Sequence, residues 1–489
     1  MTTTARLVFP HQLFLEHLDA SPDTLLVLVE PDLFFRQFRF HTHKLVLHRA
    51  GLRGFEERLQ GAGLTTAYVE SRAVGDGDDR LRELLLDNDV TAVEVYDPVD
   101  DWLERDTRRV CDEAGAELAV LETPAFLTTR EQIGETFDRV KQPRMQHFYE
   151  RQRRRLDLLM DGDQPEGGRW SYDTENRKKL PKDVEVPELT WPEPTHHVEE
   201  AVAWVREEFP DNPGDLDAFV WPTTHEQAEA WLAEFLTERF ASFGPYEDAI
   251  AADEPWLFHS AISPALNTGL LDPRVVVERA VRHAEEHDVD LPSVEGFVRQ
   301  VIGWREYMRA AYVVHGRRMR GRNLLGLTRE LDRDWWQGTT GLDPVDTVVR
   351  RVNQHGWCHH IERLMVLGNA MLLMRIDPEE VYEFFMTLFI DAYDWVMVPN
   401  VYAMSQFAAG ELITTKPYVS GSNYLRKMSD FPTGDWVKAW DALYWQFVDD
   451  HRDGFAANPR SRFAVQTLDR MDPARRRTLR AEAKRWLGT

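Results

Sequence analysis

Two short stretches, Gly338-Thr-Thr-Gly-Leu-Asp-Pro-Val-Asp346 and Gly356-Trp-Cys-His-His-Ile-Glu-Arg363, hold the densest set of groups that could do chemistry. The Thr340–Gly341 loop, closed by Pro344 and Asp346, opens a helical pattern, and Asp346 suits a helix start. The pattern continues through Arg350, Trp357, His359, His360 and Arg363 to Leu373, which predicts a single helix over 345–373. On such a helix His359 and Arg363 are four apart and His360 and Arg363 three apart, so the cations lie on adjoining stripes. Imidazoles can move protons near neutral pH, and a guanidinium beside them can grip an acid.

These residues need a scaffold, and 489 residues suffice for two or three domains with their own cores. Residues 1–130 alternate short apolar runs (Arg6–Pro10, Leu25–Glu30, Thr66–Glu70, Ala92–Tyr96, Leu118–Glu122) with amphipathic stretches such as Leu45–Gly61 and Asp79–Leu86. That order predicts an α/β domain with a Rossmann-like parallel sheet. No Gly-x-Gly-x-x-Gly follows the first strand. Residues 131–200, rich in Gly and Pro, read as a linker. Residues 201–489 show helical periodicity (Thr224–Phe243, Pro273–Glu286, Val294–His315, Pro378–Tyr393), which predicts a large all-α domain.

The net charge is −25, with 9 Lys against 49 Arg, a balance that suits a salty, halophilic cytoplasm. In such salt phosphate contacts contribute little, since about six neutralised phosphates lose roughly five decades of affinity per decade of salt. Residues 141–182 nevertheless hold eleven Lys/Arg against seven Asp/Glu. Arg153 and Arg154 within it either contact phosphates or form a solvated face paired with Asp157 and Asp161. No secretory signal precedes Leu7-Val8-Phe9 and no 18-residue apolar run exists, so a cytoplasmic chain without membrane contact is expected. Two cysteines exclude a disulfide framework or a four-cysteine metal site.

Several separate motifs resemble the photolyase/cryptochrome family, in particular its prokaryotic branch of (6-4) photolyases and iron–sulfur bacterial cryptochromes. They are Phe9–Phe14, Phe40–His48, Gly167–Pro181, Ile302–Tyr307, Met404–Phe407 and the His-His-x-x-Arg segment above. The resemblance implies FAD in the helical domain and an antenna chromophore, a ribityl-lumazine, near Glu30. The segment His259–Asn267 supplies Ser260 and Ser263 hydroxyls at a helix start, which suits a diphosphate. Tyr246, Asn267, Arg305 and Met397 join them as implied cofactor residues, and Arg363 and Asp391 match the family's ion pair beside the flavin. Trp304 and Arg305 resemble the pair that stacks on and orients the substrate base. Asp248, Tyr418 and Tyr424 match lesion-contacting positions. His360 matches the active-site histidine of (6-4) photolyases, and His359 packs or orients it.

The chain also departs from that branch. Its cluster-ligand positions fall on Pro344, Pro432, Asp435 and near Lys438, so no iron–sulfur cluster is expected. Phe384-Phe385 replaces an oxidisable Trp-Tyr pair, leaving Trp336 as a candidate electron-transfer residue, and Met397 stands where the branch has an acid near flavin N5. The expectation is a monomeric, light-driven, FAD-dependent lyase that repairs UV-damaged DNA, with (6-4) lesions favoured. The alternative is a cryptochrome-type blue-light photoreceptor with the same fold and no repair.

Overall fold

The computed structural model describes residues 3–137 and 144–488. Five strands, β1 (Thr3–Val8), β2 (Leu25–Val29), β3 (Thr66–Val69), β4 (Val90–Tyr96) and β5 (Glu117–Leu121), form one parallel sheet in the order β3-β2-β1-β4-β5. Helices Thr42–Gly61, Gly77–Asp87 and Asp101–Ala114 make the crossovers. β2 is buried at four of its five residues and reads as a continuous apolar run, as expected of a strand covered on both faces, while β1 is buried at Ala5, Leu7 and Val8. All five expected strands are present; β1 begins earlier than its apolar run.

The strand order reverses between β1 and β4, the place where open α/β sheets usually leave a ligand crevice. Here that edge docks the helical domain. Asp97, just past β4, accepts Arg130 Nε at 2.7 Å and the fully buried Arg309 Nη2 at 3.2 Å. Glu306, from the Ile302–Tyr307 motif, accepts the backbone N–H of Leu127 and Thr128 at 2.9 and 3.0 Å. The motif Phe40–His48 lies in the same seam: Lys44 Nζ donates to the Ala392 carbonyl at 2.5 Å, and His48 Nε2 lies 2.8 Å from Tyr393 Oη.

The connection between the domains contains the helices Arg130–Phe137 and Met145–Leu156, a small antiparallel hairpin pairing Met160–Asp161 with Gln164–Pro165 and a 3-10 turn at Glu166–Gly168, then irregular chain up to the helix His196–Glu208. The expected linker therefore contains two helices, and residues 138–143 of it lie outside the described residues. Gly167–Pro181 is tied down by polar bonds: Tyr172 N–H donates to Glu295 Oε2 at 2.8 Å, and Asn176 Nδ2 donates to buried Glu247.

Beyond residue 200 the chain is helical, and three of the expected long helices are interrupted. Thr224–Phe243 and Val294–His315 widen into π turns at Phe235–Arg239 and Arg299–Arg305. The expected helix 345–373 is broken. Gly356 adopts φ 68° and its N–H caps the helix Asp343–His355, the left-handed ending that glycine accepts without strain. Trp357–His359 are non-helical, and helix resumes at His360 before a π turn over Glu362–Gly368. Asp346 sits inside the first turn and reaches back to accept Thr340 N–H, Thr340 Oγ1 and Gly341 N–H at 2.7, 2.7 and 2.9 Å, so it fixes the loop rather than ending it.

Candidate functional site

The break at Gly356 aims Arg363 inward. Its Nη1 and Nη2 donate to Asp391 Oδ1 and Oδ2 at 2.8 and 3.0 Å, and its Nε donates to the Cys358 carbonyl at 2.7 Å, folding the broken segment back on itself. The same carboxylate accepts Ser263 Oγ at 2.5 Å, and the Asp391 carbonyl accepts Asn267 Nδ2 at 2.9 Å. Burial acts to lower the Arg363 pKa, but Asp391 overrides it and the guanidinium is held above its ordinary value. A desolvated pair of this kind is costly unless its remaining lone pairs and protons are satisfied. Asp391 is satisfied from three sides, while Arg363 keeps two of its five N–H groups for something else. Lys44 approaches from the other domain; burial pulls its pKa down to about 7, against the pull of Asp391.

Next to this pair lie three imidazoles. His259 sits in a loop with Leu257 and Ala261 at φ 45° and 50°, a left-handed backbone that non-glycine residues adopt only under constraint. Its ring stacks on His359 with centroids 4.5 Å apart and planes 13° from parallel. Both are buried, and burial holds both well below the ordinary histidine range. Among the described residues, His259 Nε2 and both His359 nitrogens have no hydrogen-bond partner. Glu362, 3.5 Å from His359 Nε2, is pushed up to about 7 by burial despite Arg351, which donates to it at 2.7 Å.

His360 is 43% exposed at the side chain, and its Nε2 lies 3.4 Å from Asp248 Oδ1. Asp248 Oδ2 is 3.7 Å from Arg177 Nε. Burial raises the Tyr418 and Tyr424 hydroxyls; Asp248 adds to the effect on Tyr424 and Asp173 to that on Tyr418, with Arg177 opposing in both. His360, Asp248 and Arg177 therefore adjoin one another, and Tyr418 and Tyr424 both lie within electrostatic reach of Arg177. Arg177, His259, Glu247 and Glu362 were not singled out from sequence. Arg177 lies within the Gly167–Pro181 motif, whose composition was legible but whose docking beside Asp248 was not.

Other expected site residues are placed differently. Arg153 is fully buried and donates to the carbonyls of Leu158, Leu159 and Trp170, so it cannot reach a phosphate; it braces the linker. Arg154 is exposed, over the Trp170 ring at 4.3 Å. Arg305 is spent on the Ala125 carbonyl (2.6 Å) and on Asn267 Oδ1 (3.3 Å) and lies over Phe126, so it steadies Asn267 instead of orienting a base. Trp304 is half-buried, edge-on to Tyr307. The Ser263 hydroxyl is committed to Asp391, which removes it as a free phosphate donor. Ser260 contributes its carbonyl to Trp231 Nε1, Tyr246 stacks on Phe258, and Met397 is buried in the helix Asp394–Val398. Glu30 is sealed, its carboxylate accepting Arg49, Tyr68 and the Ser71 N–H, so it is not open to a chromophore. Trp336 contacts Phe384, and Phe384, Phe385 and Phe389 lie in line between it and Arg363.

The unpartnered buried nitrogens, the two spare Arg363 donors and the strained loop beside them fit a large polar heteroaromatic group with hydrogen-bonding edges, which an isoalloxazine is. Fold and site thus define a two-domain protein whose helical half holds a buried polar cluster with the chemistry to meet a flavin. Residues 6–221 match the family model described as deoxyribodipyrimidine photo-lyase-related protein, and residues 297–445 match the FAD binding domain of DNA photolyase. A curated relative, the (6-4) photolyase of Agrobacterium fabrum, is 33% identical over 486 residues, covering 97% of this chain and 96% of the relative. The chain belongs to the photolyase/cryptochrome family. The crystal structure of a class III photolyase from Agrobacterium tumefaciens superposes with a TM-score of 0.57 at 17% identity, covering 96% and 98% of the two chains. That of the Synechocystis cryptochrome superposes with 0.59 at 15%, covering 99% of each, and both share the fold.

Proposed function

We propose that this protein is a FAD-dependent, light-driven DNA photolyase acting on UV pyrimidine photoproducts, with the (6-4) class favoured. The observation that supports this most is the half-exposed His360 beside Asp248, backed by the buried His359 and His259 and adjoining the Arg363–Asp391 pair. Bound there, FAD would supply the light-driven electron that the lesion needs. Arg363 and Asn267 would hold its polar edge, Asp391 would keep Arg363 aimed, and Tyr246, Ser260 and Met397 would complete the pocket wall. A flipped lesion, cheap to extrude because its pairing is already weak, would enter between Trp304, Tyr418 and Tyr424. His360 would deliver a proton to the lesion from Nε2, while the neutral His359 and His259 exclude competing charge from the interior. Arg154 and Arg177 would meet the backbone phosphates of the damaged strand.

The absence of a cluster belongs to the same proposal. Trp436 Nε1 donates to the Pro432 carbonyl at 3.0 Å and Trp440 Nε1 to the Ser420 carbonyl at 3.0 Å, so indole packing ties down the segment where the ligands would stand. For the antenna, a cavity of about 440 Å³ lined by Arg49, Arg53, Gln60, His197 and Trp204 offers room for a ribityl-lumazine beside, not at, Glu30. Among the described residues no helix is long and apolar enough to cross a membrane; the proposal takes the protein as a cytoplasmic monomer.

The deciding experiment is repair of a defined (6-4) and a cyclobutane dimer by purified, chemically reduced protein under blue light. Turnover of the (6-4) oligonucleotide is expected, and turnover of neither lesion rejects the enzyme. The photoreceptor reading has one specific support, the phenylalanine column that separates Trp336 from Arg363. It is the outcome if reduced protein binds flavin and repairs nothing.

A further inference from the structure

We propose that Glu57, His196 and His197 hold a zinc(II) ion that pins the first helix after the linker to the α/β domain. The residues come from two elements. Glu57 lies on the helix Thr42–Gly61, and both imidazoles lie in the first turn of His196–Glu208. His197 Nε2 is 2.9 Å and His196 Nε2 3.8 Å from the same carboxylate oxygen, Glu57 Oε2. The two ring centroids are 3.9 Å apart. One ligand atom from each of the three residues falls within 4.8 Å of the other two. Ligands held about 2.0–2.1 Å from zinc at the tetrahedral angle lie about 3.3 Å from one another. The observed 2.9 and 3.8 Å bracket that spacing, so small side-chain rotations close the site.

A plain hydrogen bond between His197 and Glu57 leaves two observations unexplained. His196 is exposed and free to point into solvent, yet its Nε2 turns to the oxygen that His197 already occupies. His197 Nδ1 is shut off from solvent and has no hydrogen-bond partner among the described residues, while Glu200 Oε2 stands 3.9 Å from it. An imidazole that binds a metal through Nε2 carries its proton on Nδ1 and donates it to a carboxylate, which fixes the ring. Glu200, one turn along the same helix, is placed for that part.

The donor set selects the ion. Imidazole nitrogens suit zinc, copper and nickel, whereas magnesium and calcium take oxygen ligands. Glu57 and Glu200 bring two negative charges to a doubly positive ion, which outweighs the partial positive charge of the helix start. The nearby guanidiniums are engaged elsewhere: Arg53 pairs with Glu56 at 3.1 Å and Arg49 with Glu30 at 3.0 Å. Glu57, His196, His197 and Glu200 all line the cavity of about 440 Å³ described above, so a water or a small ligand can take the fourth position. The ion ties the end of the linker to the helix that carries the Phe40–His48 motif, whose Lys44 and His48 reach the helical domain. The site depends on neither flavin binding nor repair.

The test is calorimetric titration of zinc into tag-free, full-length protein stripped of metal, alongside urea denaturation with and without zinc. One zinc per chain is expected. Zinc at a hundred times its dissociation constant should shift the unfolding equilibrium about a hundredfold toward the folded state. Glu200→Gln should weaken binding about tenfold, and His196→Ala and Glu57→Gln, which each remove a ligand, should weaken it further and abolish the shift. All three side chains are exposed, so these variants keep the fold. His360→Ala, which breaks up the other imidazole trio (His259, His359 and His360), is expected to bind zinc like wild type. Wild-type protein that binds no zinc overturns the site. So does zinc that binds or stabilises His196→Ala as it does wild type, or that is lost from His360→Ala instead.

Discussion

Replacing Asp391 by Asn keeps the shape of the central pair and removes its negative charge. The guanidinium of Arg363 then remains buried with one amide oxygen where it had a bidentate carboxylate at 2.8 and 3.0 Å, and the new amide N–H₂ faces a guanidinium N–H. Ser263 can rotate its hydroxyl to accept, so that bond is retained in reversed sense. Removing one partner of a buried pair costs about 3–5 kcal/mol, because the survivor is left uncompensated. The lost bonds, each worth about 1.5–3 kcal/mol when charged, agree with that range. The assay is urea denaturation of flavin-free and flavin-loaded protein, followed by near-ultraviolet dichroism. In flavin-free protein the expected loss is about 3 kcal/mol or more, a factor of roughly 150 in the folded-to-unfolded ratio. Arg363→Gln combined with Asp391→Asn should lose less than the sum of the two single changes, by more than about 1 kcal/mol. A single-variant loss under about 0.5 kcal/mol, or strict additivity, would refute the argument that this pair organises the pocket.

Arg153→Gln should destabilise the protein by about 2–4 kcal/mol, since three carbonyls lose a buried charged donor; Arg154→Gln should leave stability within about 0.5 kcal/mol and lower the salt slope of DNA binding by about 1. An Arg154→Gln slope equal to wild type rejects the phosphate contact. His360→Ala should abolish (6-4) repair with flavin content unchanged, and undiminished repair rejects its proton-donor role. Lys44 titrates at about 7 in the folded state against an ordinary 10.5, so the unfolded chain binds more protons between those values and stability due to this group rises with pH across them. Its contribution is fully present above 10.5 and is lost as pH falls through 7; Lys44→Met should flatten that slope in denaturation curves, and an unchanged slope refutes the burial argument.

The α/β half was legible because its signal is local: apolar runs separated by amphipathic stretches predict a parallel sheet, and every run became a strand. The Arg363–Asp391 pair was legible only through the family resemblance; no periodicity joins residues 28 apart. The single helix over 345–373 failed because a glycine inside a helical pattern can be tolerated or can end the helix, and only packing selected the left-handed ending at Gly356. Arg153 and Arg154 show the same limit, being neighbours of one type that differ by which face of one helix is covered.

By itself the sequence determined the strand–helix alternation of the first half, the two-domain order and the chemistry available at each position, since these follow from residue identity and short-range spacing. Tertiary structure alone decided which groups lose water and which meet. Burial turned His259 and His359 into neutral rings, sealed Glu30 and Arg153, and left His360 exposed beside Asp248, because desolvation and contact depend on neighbours far along the chain.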